Sequence, residues 1–243
     1  MRKVNFIVGD CFLAFSARQH VIRWSEFIKL SPDDIQNKRK TIQFILGQGI
    51  EFDHVKSLEN SNNALYELIK NPYVLEKDLA LTHKHKIENC HISVPKKLSD
   101  DKYVMDIFVD PQCAELNDHI TGEHINGMVV VEAARQAFIA VTESYFAGGE
   151  EFFFVLSKID SVFTQFLFPL PIRIHHHVLW HERHSRKGTE QIDFKVETKF
   201  FQIQEKPACI VSGEFSLYQK KMMLGIEKKK AAEAIEHCDV KLI

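Results

Sequence analysis

From Met128 to about Tyr145 the chain reads MVVVEAARQAFIAVTESY, a helix-forming composition with few polar interruptions. A helix apolar nearly all round has to be covered on most sides, so this run demands a wrapping layer of other elements. Gly122 and Gly127 bracket a short loop just ahead of it and permit tight turning there. One carboxylate, Glu132, interrupts the first turns, and His119 lies in the preceding loop, where the fold can bring it to the same pocket. Burial penalises a charged carboxyl, so Glu132 is expected to have a pKa raised toward the range useful in proton transfer.

The rest of the chain supplies the layer. Strand-like stretches are expected over 83–94, 102–110, 152–168, 172–184, 189–204 and 208–218. In the fifth, Ile192, Phe194, Val196 and Thr198 alternate with charged residues, as a sheet with one buried face requires. Ahead of residue 80, Val4 to Val8 is apolar and short. Ser31 and Pro32 start a helix that Gly47 ends, and a second short helix is expected over about 62–70. The division expected is an extension over 1–80, one domain over 81–220, and a tail or helix over 221–243.

At 243 residues, 45% of them hydrophobic, the chain can bury one substantial core. A net charge of −2 gives no global field for nucleic acid or an anionic membrane. Five scattered cysteines without a C-x-x-C pair fit free thiols in a reducing, cytoplasmic setting. No export leader is read at the N-terminus, and no window approaches about 18 uninterrupted apolar residues, so no spanning helix is expected.

The string DHITGEHINGMVVVEAARQAF, residues 118–138, resembles the signature of the A-factor biosynthesis (AfsA) hotdog family, a DH-x-x-G-x-H-x-x-GM-x-x-x-EA-x-RQ pattern opening a central helix. The resemblance implies an α+β hotdog fold, an antiparallel sheet wrapped around a long central helix. A more distant similarity is to the beta-hydroxyacyl-ACP dehydratases, whose catalytic histidine and helix acid map to His119 and Glu132. On that mapping Gly127 takes the helix-start glycine, one residue drops out between Gly122 and Gly127, and Asn126 replaces a proline. The family resemblance implies an acyltransferase that moves a beta-ketoacyl group from an acyl carrier protein, or a CoA thioester, to a phosphorylated hydroxy acceptor such as dihydroxyacetone phosphate. His119 and Glu132 would be catalytic, and His124, Gly127, Arg135 and Gln136 would bind substrate. A hotdog unit that pairs with a copy of itself disposes of its sheet edges, so a homodimer or higher even oligomer is expected.

Other readings stay open. The same His/Glu pair could serve a dehydratase or thioesterase, or Glu132 could be a structural acid paired with Arg135 in a non-catalytic acyl-binding protein. Arg135 and Gln136 lie about 100° apart on the helix and cannot enter one pocket equally well. His175, His177 and His181 share a strand face by parity, but no cysteine or carboxylate is spaced to complete a tetrahedral set. They read instead as a basic rim with Arg183, Arg186 and Lys187, able to steer an acidic carrier, and neither metal nor cofactor is expected.

Overall fold

A computed structural model of the chain describes residues 3–61, 63–70, 76–117, 121–149, 151–186, 189–202 and 205–237. The N-terminal residues form β1 (Lys3–Val8), α1 (Leu13–Ser16), β2 (Val21–Arg23), α2 (Trp24–Phe27), α3 (Pro32–Thr41), β3 (Ile42–Leu46) and α4 (Phe52–Asn60). The three strands are parallel, in the order β2-β1-β3. Ser31 caps α3 by accepting from the Asp34 amide at 3.1 Å, with Pro32 in the first turn, as the sequence predicts. The helix does not run on to Gly47. At Ile42 the chain becomes a strand, because pairing with β1 buries Phe44 and Leu46 and satisfies the backbone better than a continued helix would. The second helix also falls earlier than expected, at α4, leaving only a 3-10 turn at Tyr66–Leu68.

The larger layer follows as β4 (Lys96–Lys97), β5 (Lys102–Asp106), α5 (Ala114–Asn117), α6 (Gly127–Tyr145), β6 (Phe152–Phe163), β7 (Arg173–Arg186), β8 (Thr189–Phe201), β9 (Cys209–Gln219) and α7 (Lys220–Glu236). Its six strands are antiparallel, in the order β4-β5-β7-β8-β9-β6. The apolar helix α6 lies against this sheet, with Val129, Val130, Ala133, Ala137, Phe138 and Val141 buried. This is the α+β hotdog arrangement. Phe138 stacks on Phe215 at 5.7 Å, and a Cβ on Gly213 would stand 2.5 Å from the Phe138 ring, which explains a glycine in mid-strand. Burial of that ring contributes about 2–3 kcal/mol.

The strand expected over 83–94 does not form. His83 adopts a left-handed φ of 53°, and Ile87–Asn89 is a 3-10 turn. Within it the His91 amide donates to the Gln136 side chain, and just ahead of it Asp78 takes the amides of Ala80 and Leu81 in a turn.

Gln48 ties the N-terminal layer to the hotdog layer. Fully buried, it donates through Nε2 to the carbonyls of Ile107 and Leu170 and accepts from the Val109 amide at 2.7 Å. No helix among the described residues is long and apolar enough to cross a membrane.

Candidate functional site

The loop that opens α6 is built around one hydroxyl. Thr121 Oγ1 accepts from the His124 amide at 3.2 Å and lies 3.2 Å from His124 Nδ1, fixing both the turn and the imidazole. Gly122, at φ 76°, supplies the left-handed residue the turn needs. The N-terminal layer braces this loop. The Phe15 amide donates to the Gly122 carbonyl at 2.9 Å, and Arg18 pairs with Glu123 at 2.7 Å. Asn126 caps α6 by accepting from the Met128 amide.

A cavity of about 440 Å³ opens at this end of α6. His124 and Gly127 form its polar corner, and Ile125, Val130, Phe163 and Phe166 its apolar walls. Phe166 packs on His124 with ring centroids 4.8 Å apart. A Cβ at Gly127 would come within 3.1 Å of the Phe163 ring, so the small residue keeps this mouth open.

Glu132 stands elsewhere, about 140° around the helix from Gly127. Its carboxylate accepts from Arg135 Nε and Nη2, both at 2.8 Å, and from Gln136 at 3.1 Å, and it pairs with Lys84 Nζ at 2.6 Å. Burial alone would raise its pKa, as the sequence predicts. The bonds from Arg135, Lys84 and Gln136 together outweigh that desolvation and bring it down to about 2. The expectation of a raised carboxyl is therefore corrected: Glu132 is an ionised anchor at neutral pH. Arg135 is held further up, chiefly by its bond to Glu132, and half-exposed it lines a broad groove with Lys84, His83 and Glu143.

Gln136 faces inward and is fully buried. It accepts from the His91 amide at 2.8 Å and donates to the Asn89 carbonyl at 2.8 Å, so its amide is spent on holding the 89–91 segment against α6. Arg135 and Gln136 meet at the Glu132 carboxylate, but only Arg135 reaches the groove while Gln136 is buried. His119 lies outside the described residues, as do Asp118 and Ile120.

The histidine strand departs from simple parity. A β-bulge between Val178 and Trp180 inserts one residue, so His181 sits opposite Phe194 and packs on Phe146 at 4.9 Å, on the helix side of the sheet. His175 and His177 remain on the other face, with His177 bonded to Asp101 at 2.8 Å. Of the expected basic rim, Arg183 pairs with Glu190 and donates to the Phe146 carbonyl. Lys187 and the Arg186 side chain lie outside the described residues.

Lys84 and Thr121 escape a reading of the sequence because no motif position specifies them; Lys84 reaches Glu132 from 48 positions earlier. The clue available was the cost of a carboxylate in an apolar helix, which requires a cation from somewhere.

The strand order and the buried central helix define a protein of the hotdog class. The profile of the A-factor biosynthesis hotdog domain matches residues 75–211, more than half of the chain, and the chain belongs to that family. No curated protein matches it. Among solved structures it is similar to a thioesterase from Haemophilus influenzae (10% identity, 57% of this chain and 80% of that one, TM-score 0.37). It is also similar to a mutant thioesterase from Pseudomonas aeruginosa (13%, 69% and 94%, 0.35). A third is a Bacillus halodurans protein solved with CoA (14%, 51% and 71%, 0.36). At these scores the fold assignment rests on the topology and the family.

Proposed function

We propose that this chain is an acyltransferase. It takes a beta-ketoacyl group from an acyl carrier protein or CoA thioester and passes it to the hydroxyl of a small phosphorylated acceptor such as dihydroxyacetone phosphate. The product belongs to gamma-butyrolactone-type signal or secondary-metabolite synthesis. The observation that carries the reading is the cavity at the start of α6, with an imidazole and a helix N-terminus at one corner and apolar walls beyond. That layout suits a thioester head and an acyl tail.

In the reaction, the first-turn N–H groups of α6 polarise the thioester carbonyl. His124, oriented by Thr121, or His119 removes the acceptor's hydroxyl proton, and the hydroxyl oxygen attacks the carbonyl. The thiolate of the carrier leaves and takes up the proton from the imidazolium. Arg135, fixed by Glu132, offers its cation to the acceptor's phosphate. Arg135 and the cavity lie on different sides of one helix, so a second copy paired through the β6 edge would complete the site. That edge exposes Leu156, Val162 and Phe163, with Phe166 lining the same cavity as Phe163. Free Cys11, Cys90, Cys113 and Cys209 suit a reducing cytoplasm.

The low pKa of Glu132 favours transfer over dehydration, which needs a protonated helix acid. The test is to incubate the protein with beta-ketoacyl carrier protein, with and without dihydroxyacetone phosphate, and follow products by mass spectrometry. Transfer yields the phosphorylated ester only when acceptor is present. Free beta-keto acid in both arms makes the protein a thioesterase, and an intact thioester in both makes it an acyl-binding module.

A further inference from the structure

We propose that His91, Cys113 and Glu115 form a binding site for one zinc-class divalent cation. The three donors come from two segments, the stretch after the 87–89 turn and the start of α5, and their ligand atoms lie within 4.8 Å of one another. His91 and Cys113 are fully buried, and the Glu115 side chain is 24% exposed. His91 Nε2 stands 3.2 Å from Glu115 Oε2, close to the roughly 3.3 Å that two donors on one tetrahedral zinc ion at about 2.0–2.1 Å would keep. The Cys113 sulfur lies within 4.8 Å of both donor atoms.

The donor chemistry points the same way. One imidazole, one thiolate and one carboxylate make a mixed nitrogen, sulfur and oxygen set, which suits zinc over magnesium or calcium. A dication with one thiolate and one carboxylate sums to zero charge, the condition under which ions are tolerated in an apolar surround. The remaining charged groups near the thiol, Lys77 and Asp110, are of opposite sign. On binding, the sulfur–hydrogen bond of Cys113 breaks, a metal–sulfur bond forms, and the proton passes to solvent. Three protein donors leave a fourth position for water.

The site has a structural reach toward α6. Asn126 Nδ2 donates to the Glu115 carbonyl at 3.3 Å, and Gln136 holds the His91 amide. An ion here would therefore clamp α5 and the 89–91 segment onto the first turns of the central helix. The inference is independent of the acyl-transfer reading, because metal binding is measured without substrate.

The test uses the full chain, stripped with chelator, dialysed against zinc and analysed by atomic emission, with a parallel sample loaded with cobalt. The expected result is one equivalent of zinc per chain and a thiolate-to-cobalt charge-transfer band. Cys113→Ser should abolish the band. Glu115→Gln, at a partly exposed position that leaves the fold intact, should weaken zinc affinity at least tenfold. Sub-stoichiometric zinc, a cobalt spectrum without the thiolate band, or undiminished affinity in Glu115→Gln overturns the proposal and assigns any bound ion to exposed histidines.

Discussion

Glu132 holds Arg135 through two parallel hydrogen bonds of 2.8 Å, one turn apart on α6, with the carboxylate side chain only 15% exposed. Because Lys84 and Gln136 join the same carboxylate, the group is ionised across the physiological range. Its folded pKa lies below the unfolded one, so its contribution to stability is present above about pH 4.5 and lost as pH falls toward 2. That contribution is roughly 3 kcal/mol. Glu132→Gln leaves two cations without their partner and should lower Tm by roughly 10 °C at pH 7. A catalytic proton-transfer role would instead cost about 100-fold in turnover with Tm unchanged, so calorimetry and turnover measured on one preparation decide between them.

The elements that were legible in the sequence are those whose pattern is local. The apolar run of α6, the alternation in β8 and the Ser31-Pro32 helix start each follow from residues within one element. What stayed hidden depends on partners far along the chain. Ile42–Leu46 carries strand-favouring residues that the helix start at Ser31 and the stop at Gly47 mask until β1 lies beside it, and the 83–94 segment looks like a strand until Gln136 takes the His91 amide and His83 turns left-handed. The Glu132 environment failed for the same reason. Desolvation can be read from an apolar helix, whereas Lys84 is brought in by a turn that depends on a left-handed His83. Parity misplaced His181 because a bulge is set by the neighbouring strand.

Gln48 offers a test of how firmly the N-terminal layer is attached. Replacing it by Ala strands the Val109 amide and removes the donor to Ile107 and Leu170, all in the interior. A loss of about 3 kcal/mol or more is expected in urea unfolding. A change below about 1 kcal/mol would mean that water satisfies these groups and that the two layers are joined by apolar contact alone.

His176 makes the fold acid-sensitive. It is fully buried between Tyr103 and Phe138, bonded to Thr198 at 2.8 Å, and burial pushes its pKa down to about 3. The unfolded chain takes up this proton near pH 6.5 and the folded chain does not, so stability falls as pH drops through 6.5 toward 3. The slope from this one group is about 1.4 kcal/mol per pH unit. Between pH 6.5 and 5, above the window of Glu132, His176→Gln should flatten the decline by about 2 kcal/mol. Equal slopes in denaturant titrations of the two proteins would remove His176 as the cause.

The β6 edge carries the assembly expectation. An edge strand paired on one side only, exposing Val162 at 58% and Phe163 at 49%, is a template for a second copy. Light scattering at micromolar concentration should give a dimer or higher even oligomer. Val162→Lys, which places a charge on the edge without touching the core, should shift the protein toward monomer with an unchanged circular dichroism spectrum. A monomeric parent protein rules out this edge as the interface.

Val130 tests whether the acyl chain occupies the cavity beside His124. Its side chain is almost fully buried and lines that space without contacting the Glu132 network. Phenylalanine here would fill part of the 440 Å³ while adding apolar contact, so Tm should move little. The reaction should become selective by length, because each methylene excluded from an apolar pocket costs about 1–3 kcal/mol. For Val130→Phe, kcat/KM for long-chain beta-ketoacyl carriers should fall at least tenfold relative to short-chain ones. A uniform loss at every chain length would place the tail elsewhere, and the groove beside Arg135 would become the site to mutate next.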